Sequence, residues 1–168
     1  MTIVRSVLAI VIGAVIAVVV IRAVEMANFV QYGPSAEKPI AERLEIMQKM
    51  KKEDPDAMKA WMESLPTSAM VMVVVSYGLG AFLGGALAGL IASCCRMTHA
   101  GIIGGLVLAG TIYNFIDMKN KLGFSHPDWM IIAGLLAPLA LALLAGSIVT
   151  QVWAPPPEPQ PTPPASET

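Results

Sequence analysis

Charged residues are scarce in this chain, and none lies in the middle of its long apolar stretches. Asp, Glu, Lys and Arg make up 14% of the 168 residues, whereas hydrophobic residues make up 55%. This balance is typical of a protein with several membrane spans. The net charge is −1, and no cluster of Arg or Lys is interleaved with stacking aromatic side chains. We therefore predict that the chain does not bind nucleic acid.

Cysteine and histidine are also rare, which argues against a metal or redox site. The two cysteines, Cys94 and Cys95, are adjacent, and this spacing matches neither a CxxC motif nor a disulfide framework. The two histidines, His99 and His126, are predicted to lie at opposite membrane faces. Acid–base and metal chemistry both require several groups within reach of one another. The sequence therefore predicts no catalytic residue, no metal, no cofactor and no enzymatic activity.

Four long apolar stretches dominate what the chain does contain. A helix needs about 20 apolar residues to cross roughly 30 Å of hydrocarbon. On this basis we predict spans at about residues 3–25, 67–95, 97–116 and 128–153. The predicted fold is all-α, a four-transmembrane-helix bundle in which residues 1–154 form a single membrane domain. The proline-rich stretch 155–168 cannot bury a core, and we expect it to be disordered.

Small residues recur at four-residue spacing in the second and third spans, which predicts where helices pack. In lipid, close approach of helix backbones across small residues supplies much of the association energy. In the third span, Gly101, Gly105 and Ala109 share one face. We predict that this face packs on the second span in a tight antiparallel hairpin. The second span carries two such rows, one formed by Ser76, Gly80, Gly84 and Ala88 and the other by Gly85 and Gly89. Alternatively, one of these rows contacts a second copy of the chain or a protein partner.

A polar insertion, residues 28–65, separates the first two spans. Apolar residues recur at helical spacing after Pro39, which predicts a short amphipathic helix. Asp54 followed by Pro55 is typical of an N-cap and first helical turn, so a second short helix is expected there. We expect these helices to form a solvated extramembrane cap that either lies on the lipid headgroups or folds over the bundle.

Three polar residues near the ends of spans are the candidates for a functional role. Glu25 lies three residues after Arg22, close enough for an ion pair at the membrane boundary. Asn114 lies near the end of the third span, where it can bond a neighbouring helix. His126 precedes Pro127 at the start of the fourth span, and helix capping explains its position better than a ligand role does.

The distribution of Arg and Lys supports two orientations. Arg5 and Arg96 lie on the side of the termini, and nine other basic residues lie on the side of the insertion. A literal positive-inside count places the insertion in the cytoplasm. The first span, however, has the character of a start-transfer anchor, and the insertion mixes its lysines with more acids. We predict that both termini are cytoplasmic.

Several short motifs occur in order along the chain. They are Asp56-Ala57-Met58, Ser64-Leu65-Pro66-Thr67, Gly80-Ala81-Phe82-Leu83-Gly84-Gly85, Tyr113-Asn114 and His126-Pro127-x-Trp129. This set resembles a group of small uncharacterised bacterial inner-membrane proteins with four predicted spans and a large first loop. The resemblance implies a multi-span protein of the bacterial inner membrane. It carries no known activity and therefore transfers no site residue.

These observations favour a structural or accessory membrane protein that is associated with a complex. Its partners would be membrane lipid and a protein partner or a second copy of the chain. The alternative is a small transporter or channel subunit, motivated by four compact spans and by Pro138 within the fourth. No ionisable residue is predicted at the middle of the membrane, where proton-coupled carriers place one.

Overall fold

The computed structural model describes residues 2–92 and 94–153, and every regular element in these ranges is an α-helix. This confirms the predicted all-α bundle with a short helical insertion between its first two long helices. The predicted disordered tail, 155–168, lies outside the described residues. The helices are α1 (Thr2–Tyr32), α2 (Ile40–Glu53), α3 (Pro55–Glu63), α4 (Thr67–Ile91), α5 (Arg96–Leu122) and α6 (Asp128–Val152).

Helices α1, α4, α5 and α6 are each long and apolar enough to cross a membrane. The shortest of them have 25 residues, which corresponds to about 38 Å at 1.5 Å per residue. Large apolar side chains such as Val11, Leu106 and Leu136 are exposed on their outer faces. Exposed apolar surface of this extent suits lipid and not water. The chain has the construction of a multi-pass integral membrane protein.

Three helix ends differ from the predicted span boundaries. Helix α1 continues to Tyr32 and α5 to Leu122, past the predicted ends at 25 and 116. Hydropathy marks where the hydrocarbon ends, whereas a helix can continue into polar surroundings because its backbone bonds itself. Helix α4 ends earlier than predicted, at Ile91, because Ala92 turns into an extended conformation. Cys95 then adopts a left-handed conformation with φ 53° directly before α5.

Helix α4 lies at the centre of the bundle and packs most extensively against α1 and α6. Its contact with α5 is smaller, and α5 packs mainly on α6. The second and third spans do pack against each other as predicted, but this pair is not the principal contact of α4. The physical reason is that the two small-residue rows of α4 face α1 and α6, so these helices approach its backbone more closely than α5 does.

Gly13 and Gly84 mark the closest approach of α1 and α4. A Cβ atom added to Gly13 would lie 2.7 Å from the carbonyl oxygen of Gly84, and one added to Gly84 would lie 2.5 Å from that of Gly13. Ala88 continues this contact and forms a buried cluster with Ala17 and Ile103. The backbones can approach this closely because neither glycine carries a side chain.

The other predicted packing residues of α4 divide between two neighbours. Ser76 and Gly80 are buried, and a Cβ on Gly80 would lie 2.8 Å from an α1 carbonyl oxygen. Gly85 and Gly89 face α6 instead, with a Cβ on Gly85 falling 3.3 Å from Ala142. The two rows predicted from spacing therefore contact two different helices.

The small-residue row predicted for α5 does not face α4. Gly101 approaches α6, Ala109 is exposed, and in the described part of the chain nothing lies within 4 Å of a Cβ placed on Gly105. The buried glycine of this helix is Gly104, where a Cβ would lie 2.8 Å from an α6 side chain. Spacing alone does not distinguish a row that faces the protein from one that faces lipid, because small residues are common in both places.

Three of the four arginines donate hydrogen bonds to the C-terminal end of another helix. Arg5 donates to the oxygen of Ile91 at the end of α4, and Arg96 donates to that of Trp153 at 2.7 Å, just after α6. Arg43 does the same for α1. The last carbonyls of a helix lack partners within it and carry the negative end of its dipole, so a guanidinium group stabilises them.

The insertion folds back onto the bundle as a cap formed by α2 and α3. Asp54 Oδ1 accepts a hydrogen bond from the backbone nitrogen of Ala57 at 2.9 Å, which starts α3 as the sequence indicates. Met58 and Met62 of α3 form a buried cluster with Phe124, which follows α5. The cap thus takes the second of the two expected arrangements, folded over one end of the bundle.

Candidate functional site

The bundle has an open side between α1 and α5, which contact each other only lightly. A cavity of about 410 Å³ lies there, and we call it the lateral groove. Its walls are largely apolar, with Ala14 and Val18 on α1 and Leu106 and Gly110 on α5. A cavity of this volume lies within the range of small-molecule binding sites.

A second cavity, of about 530 Å³, lies between the cap and the end of the bundle. Side chains from α1 to α6 line it, including Phe29, Trp61 and Phe124. Methionine is flexible and polarisable, so walls of this composition adapt to apolar guests of varied shape. We call this cavity the methionine chamber because seven of the 11 methionines of the chain line it, Met26, Met47, Met58, Met62, Met70, Met118 and Met130.

The groove and the chamber share a small polar wall, which we call the polar junction. Helices α1, α2, α4 and α5 all contribute to it, so it exists only when the cap and the bundle are assembled. Its members line both cavities and are Arg22, Glu25, Lys51, Tyr77 and Asn114.

Two pairs of side chains organise the polar junction. Arg22 Nη1 donates to Glu25 Oε2 at 2.8 Å, and Asn114 Nδ2 donates to the Tyr77 hydroxyl oxygen at 2.7 Å. The hydroxyl hydrogen of Tyr77 has no acceptor among the described residues. Lys51 has no carboxylate within 4.0 Å across residues 2–92 and 94–153. The junction therefore holds two cations and one anion, together with a hydroxyl group that is free to donate.

Two of the three predicted polar candidates meet at this junction, and the third does not. Glu25 and Asn114 line both cavities, although they are far apart in sequence. His126 lies on the chamber wall, where its ring centroid is 4.5 Å from that of Phe115 and 4.9 Å from that of Phe124. Burial among these side chains lowers the pKa of His126 below its ordinary value of 6.5. The imidazole is therefore neutral at pH 7.

Sequence reasoning missed Tyr77 and Lys51. Tyr77 is a polar aromatic residue inside a charge-free span, and a polar group so placed calls for a partner. The sequence therefore indicates that Tyr77 has a polar partner, but it does not identify Asn114 as that partner. Lys51 carries no local signal, because it is one of several lysines on the exposed face of α2.

The junction has the chemistry of a binding site for an anionic group. It offers an ammonium group, a guanidinium group held by one carboxylate and a free hydroxyl donor. Within the described ranges, no group of three or more His, Cys, Asp and Glu side chains is placed to hold a metal ion. Comparison with protein-family models, curated proteins and solved structures finds no match to this chain. The resemblance to bacterial four-span proteins therefore stays a prediction.

Proposed function

We propose that this protein is a non-enzymatic accessory subunit that binds a helix of another membrane protein through the outer face of α5. The observation that supports the proposal is the placement of Gly105 and Ala109, the uncovered part of the small-residue row of α5. Ala109 is exposed, and a Cβ on Gly105 meets no atom within 4 Å in the described chain. In lipid, a row of small residues favours association by letting another helix approach closely.

The other small-residue rows of the bundle are already covered by the chain itself. Gly84 approaches α1, Gly85 approaches α6 and Gly104 packs beside α6. In the α5 row, Gly101 approaches α6, but among the described residues no helix packs on Gly105, and Ala109 is exposed. This uncovered part of the row supports an external partner. A second copy of the chain would use the same face, and the experiment below separates the two cases.

The test is mild solubilisation of the natively expressed full chain, followed by measurement of complex mass and identification of the co-purifying chains. We expect a defined hetero-complex with the wild type and its loss with Gly105→Leu, because the larger side chain keeps a partner helix away. Gly110→Leu is the matched control, since a Cβ there also meets no atom but points into the lateral groove. A monomer without partners contradicts the proposal, and a homo-oligomer replaces the partner with a second copy.

A small transporter or channel subunit is the second candidate function. The observation that favours it is that the groove and the chamber meet at one polar wall, to which Glu25 contributes. If Glu25 takes part in transport, Glu25→Gln should change the flux of ions or protons in reconstituted vesicles. Flux that is the same in the variant and the wild type would remove this version of the hypothesis.

We further propose that the protein resides in a bacterial inner membrane with both termini in the cytoplasm. The test uses Cys94 and Cys95, which are exposed in the turn on the side of the termini. A membrane-impermeant maleimide should label them only after intact cells are opened. Labelling needs mildly alkaline buffer, because a hydrogen bond that the Cys95 thiol donates to Cys94 raises the pKa of Cys95. Labelling of intact cells would reverse the orientation.

A further inference from the structure

We propose that the lateral groove, polar junction and methionine chamber together bind one anionic phospholipid from the surrounding bilayer. Its phosphate would lie at the junction, and its two acyl chains would occupy the groove and the chamber. This inference concerns a different surface from the outer face of α5. It does not depend on the accessory function proposed above.

The charge of the junction selects an anionic headgroup. Arg22 is already paired with Glu25, so the excess positive charge is that of Lys51. The free hydroxyl hydrogen of Tyr77 adds a donor on the α4 side. Phosphate oxygens accept hydrogen bonds from both kinds of donor. A zwitterionic headgroup would add a third positive charge beside Arg22 and Lys51, which is unfavourable.

The two cavities leave the junction in opposite directions along α1. The groove is lined by α1 residues from Ala14 to Ile21, before Arg22, and the chamber by residues from Met26 to Gly33, after Glu25. On α5 the groove is lined mainly by residues before Asn114, with Asp117 beyond it, whereas the chamber is lined by Phe115 and Met118 after Asn114. With the headgroup at the junction, one acyl chain can thus lie in the groove, of about 410 Å³, and the other in the chamber, of about 530 Å³.

The chemistry of the walls also fits acyl chains. The groove lies between two spanning helices, so a lipid can enter it sideways from the bilayer. The chamber lies beneath the cap, and its methionine side chains can repack around a flexible chain. Lys51 lies on the cap itself, so a bound headgroup would join the cap to the bundle.

Trp61 lies on the chamber wall and provides a direct probe of acyl-chain entry. The other two tryptophans, Trp129 and Trp153, are 41% and 55% exposed and can be replaced by phenylalanine. The full chain with only Trp61 would be placed in nanodiscs that contain phosphatidylglycerol or phosphatidylcholine with brominated acyl chains. We expect strong quenching of Trp61 fluorescence by the brominated anionic lipid and weak quenching by the brominated phosphatidylcholine.

Matched variants identify the parts of the site. Lys51→Gln should weaken binding of phosphatidylglycerol about fivefold, since one basic residue near the membrane surface contributes about 1 kcal/mol. The control is Lys49→Gln on the same helix, whose lysine is paired with Glu53 and does not line either cavity. Gly110→Leu should block the groove and reduce the quenching, whereas Gly105→Leu should leave it unchanged.

The results separate this proposal from the accessory function. Equal quenching by both lipids would mean that Trp61 contacts bulk lipid, and it would overturn the proposal. Quenching that survives both Lys51→Gln and Gly110→Leu would overturn it as well. Loss of a partner with Gly105→Leu, but not with Gly110→Leu, concerns only the outer face of α5. Either function can therefore fail while the other stands.

Discussion

The guanidinium group of Arg43 binds both the backbone and the ring of Phe29, fourteen positions earlier in the chain. Arg43 Nη2 donates to the Phe29 oxygen at 2.8 Å, and the guanidinium carbon lies 5.2 Å from the centroid of the Phe29 ring. The same group donates to the oxygens of Val30, Gly33 and Pro34 at 2.9 to 3.2 Å. One side chain of the cap thereby bonds two oxygens in the last turn of α1 and two directly after it.

This contact explains how the cap is held over the chamber. Arg43 is only 3% exposed, although it lies on a helix that the sequence predicts to be solvated on its polar face. A buried cation normally needs a carboxylate. Here, the negative end of the α1 dipole and four carbonyl oxygens take that role. The cap, which covers the methionine chamber, is therefore attached to α1 by hydrogen bonds from Arg43 to the α1 backbone.

The first prediction concerns this attachment. Arg43→Lys should destabilise the docked cap by about 2 kcal/mol, because an ammonium group cannot reproduce the planar fork of donors or the stacking on Phe29. Hydrogen exchange of the α2 and α3 amides measures the change. Lys49→Gln is the control, since its exposed pair with Glu53 at 3.9 Å contributes less than about 1 kcal/mol. Equal protection in the wild type and Arg43→Lys would contradict the assignment.

The second prediction compares two glycines with opposite surroundings. Gly84→Ala should cost about 1 to 3 kcal/mol, because the new methyl group would lie against the α1 backbone at Gly13. Gly105→Ala should cost nothing, because its Cβ enters open space and alanine favours the helix. Unfolding of the purified protein in mixed detergent micelles measures both free energies. Similar losses at both positions would show that α1 and α4 do not approach as described.

The third prediction concerns the bond between Tyr77 and Asn114. A double-mutant cycle with Tyr77→Phe and Asn114→Leu should give a coupling energy of about 0.6 to 1.7 kcal/mol, the range found for hydrogen bonds between membrane helices. Each single variant and the pair would be unfolded under the same detergent conditions. Strictly additive effects would mean that the two side chains, 2.7 Å apart here, do not bond each other in the membrane.

The fourth prediction is a pH dependence caused by His126. Burial lowers the pKa of its imidazole in the folded protein, so the unfolded chain binds the proton more tightly. The free energy of unfolding should therefore be highest above about pH 6.5 and fall as the pH drops from the unfolded pKa through the folded one. His126→Asn should remove this loss, and an unchanged pH profile in that variant would assign it to another group.

The elements of this fold could be predicted from local sequence. Apolar length predicts four spans, Asp54 and Pro55 predict the start of α3, and the small residues of α4 predict two close helix contacts. Each of these features lies within one helix or one turn. There, the hydrogen-bonding groups and the sizes of neighbouring side chains determine the local structure independently of the rest of the chain. That is why the all-α class and the helical insertion follow from composition and spacing.

The partners of those elements were decided only by tertiary structure. Four-residue spacing places Gly105 on one face of α5, but the packing of α6 at Gly104 determines that this face is turned outward. Arg43 and Lys51 lie on the same polar helix, yet one caps α1 and the other lines two cavities. Residues that are distant in sequence come together because whole helices pack as rigid bodies. The sequence of a single helix does not determine which neighbour will cover each of its faces.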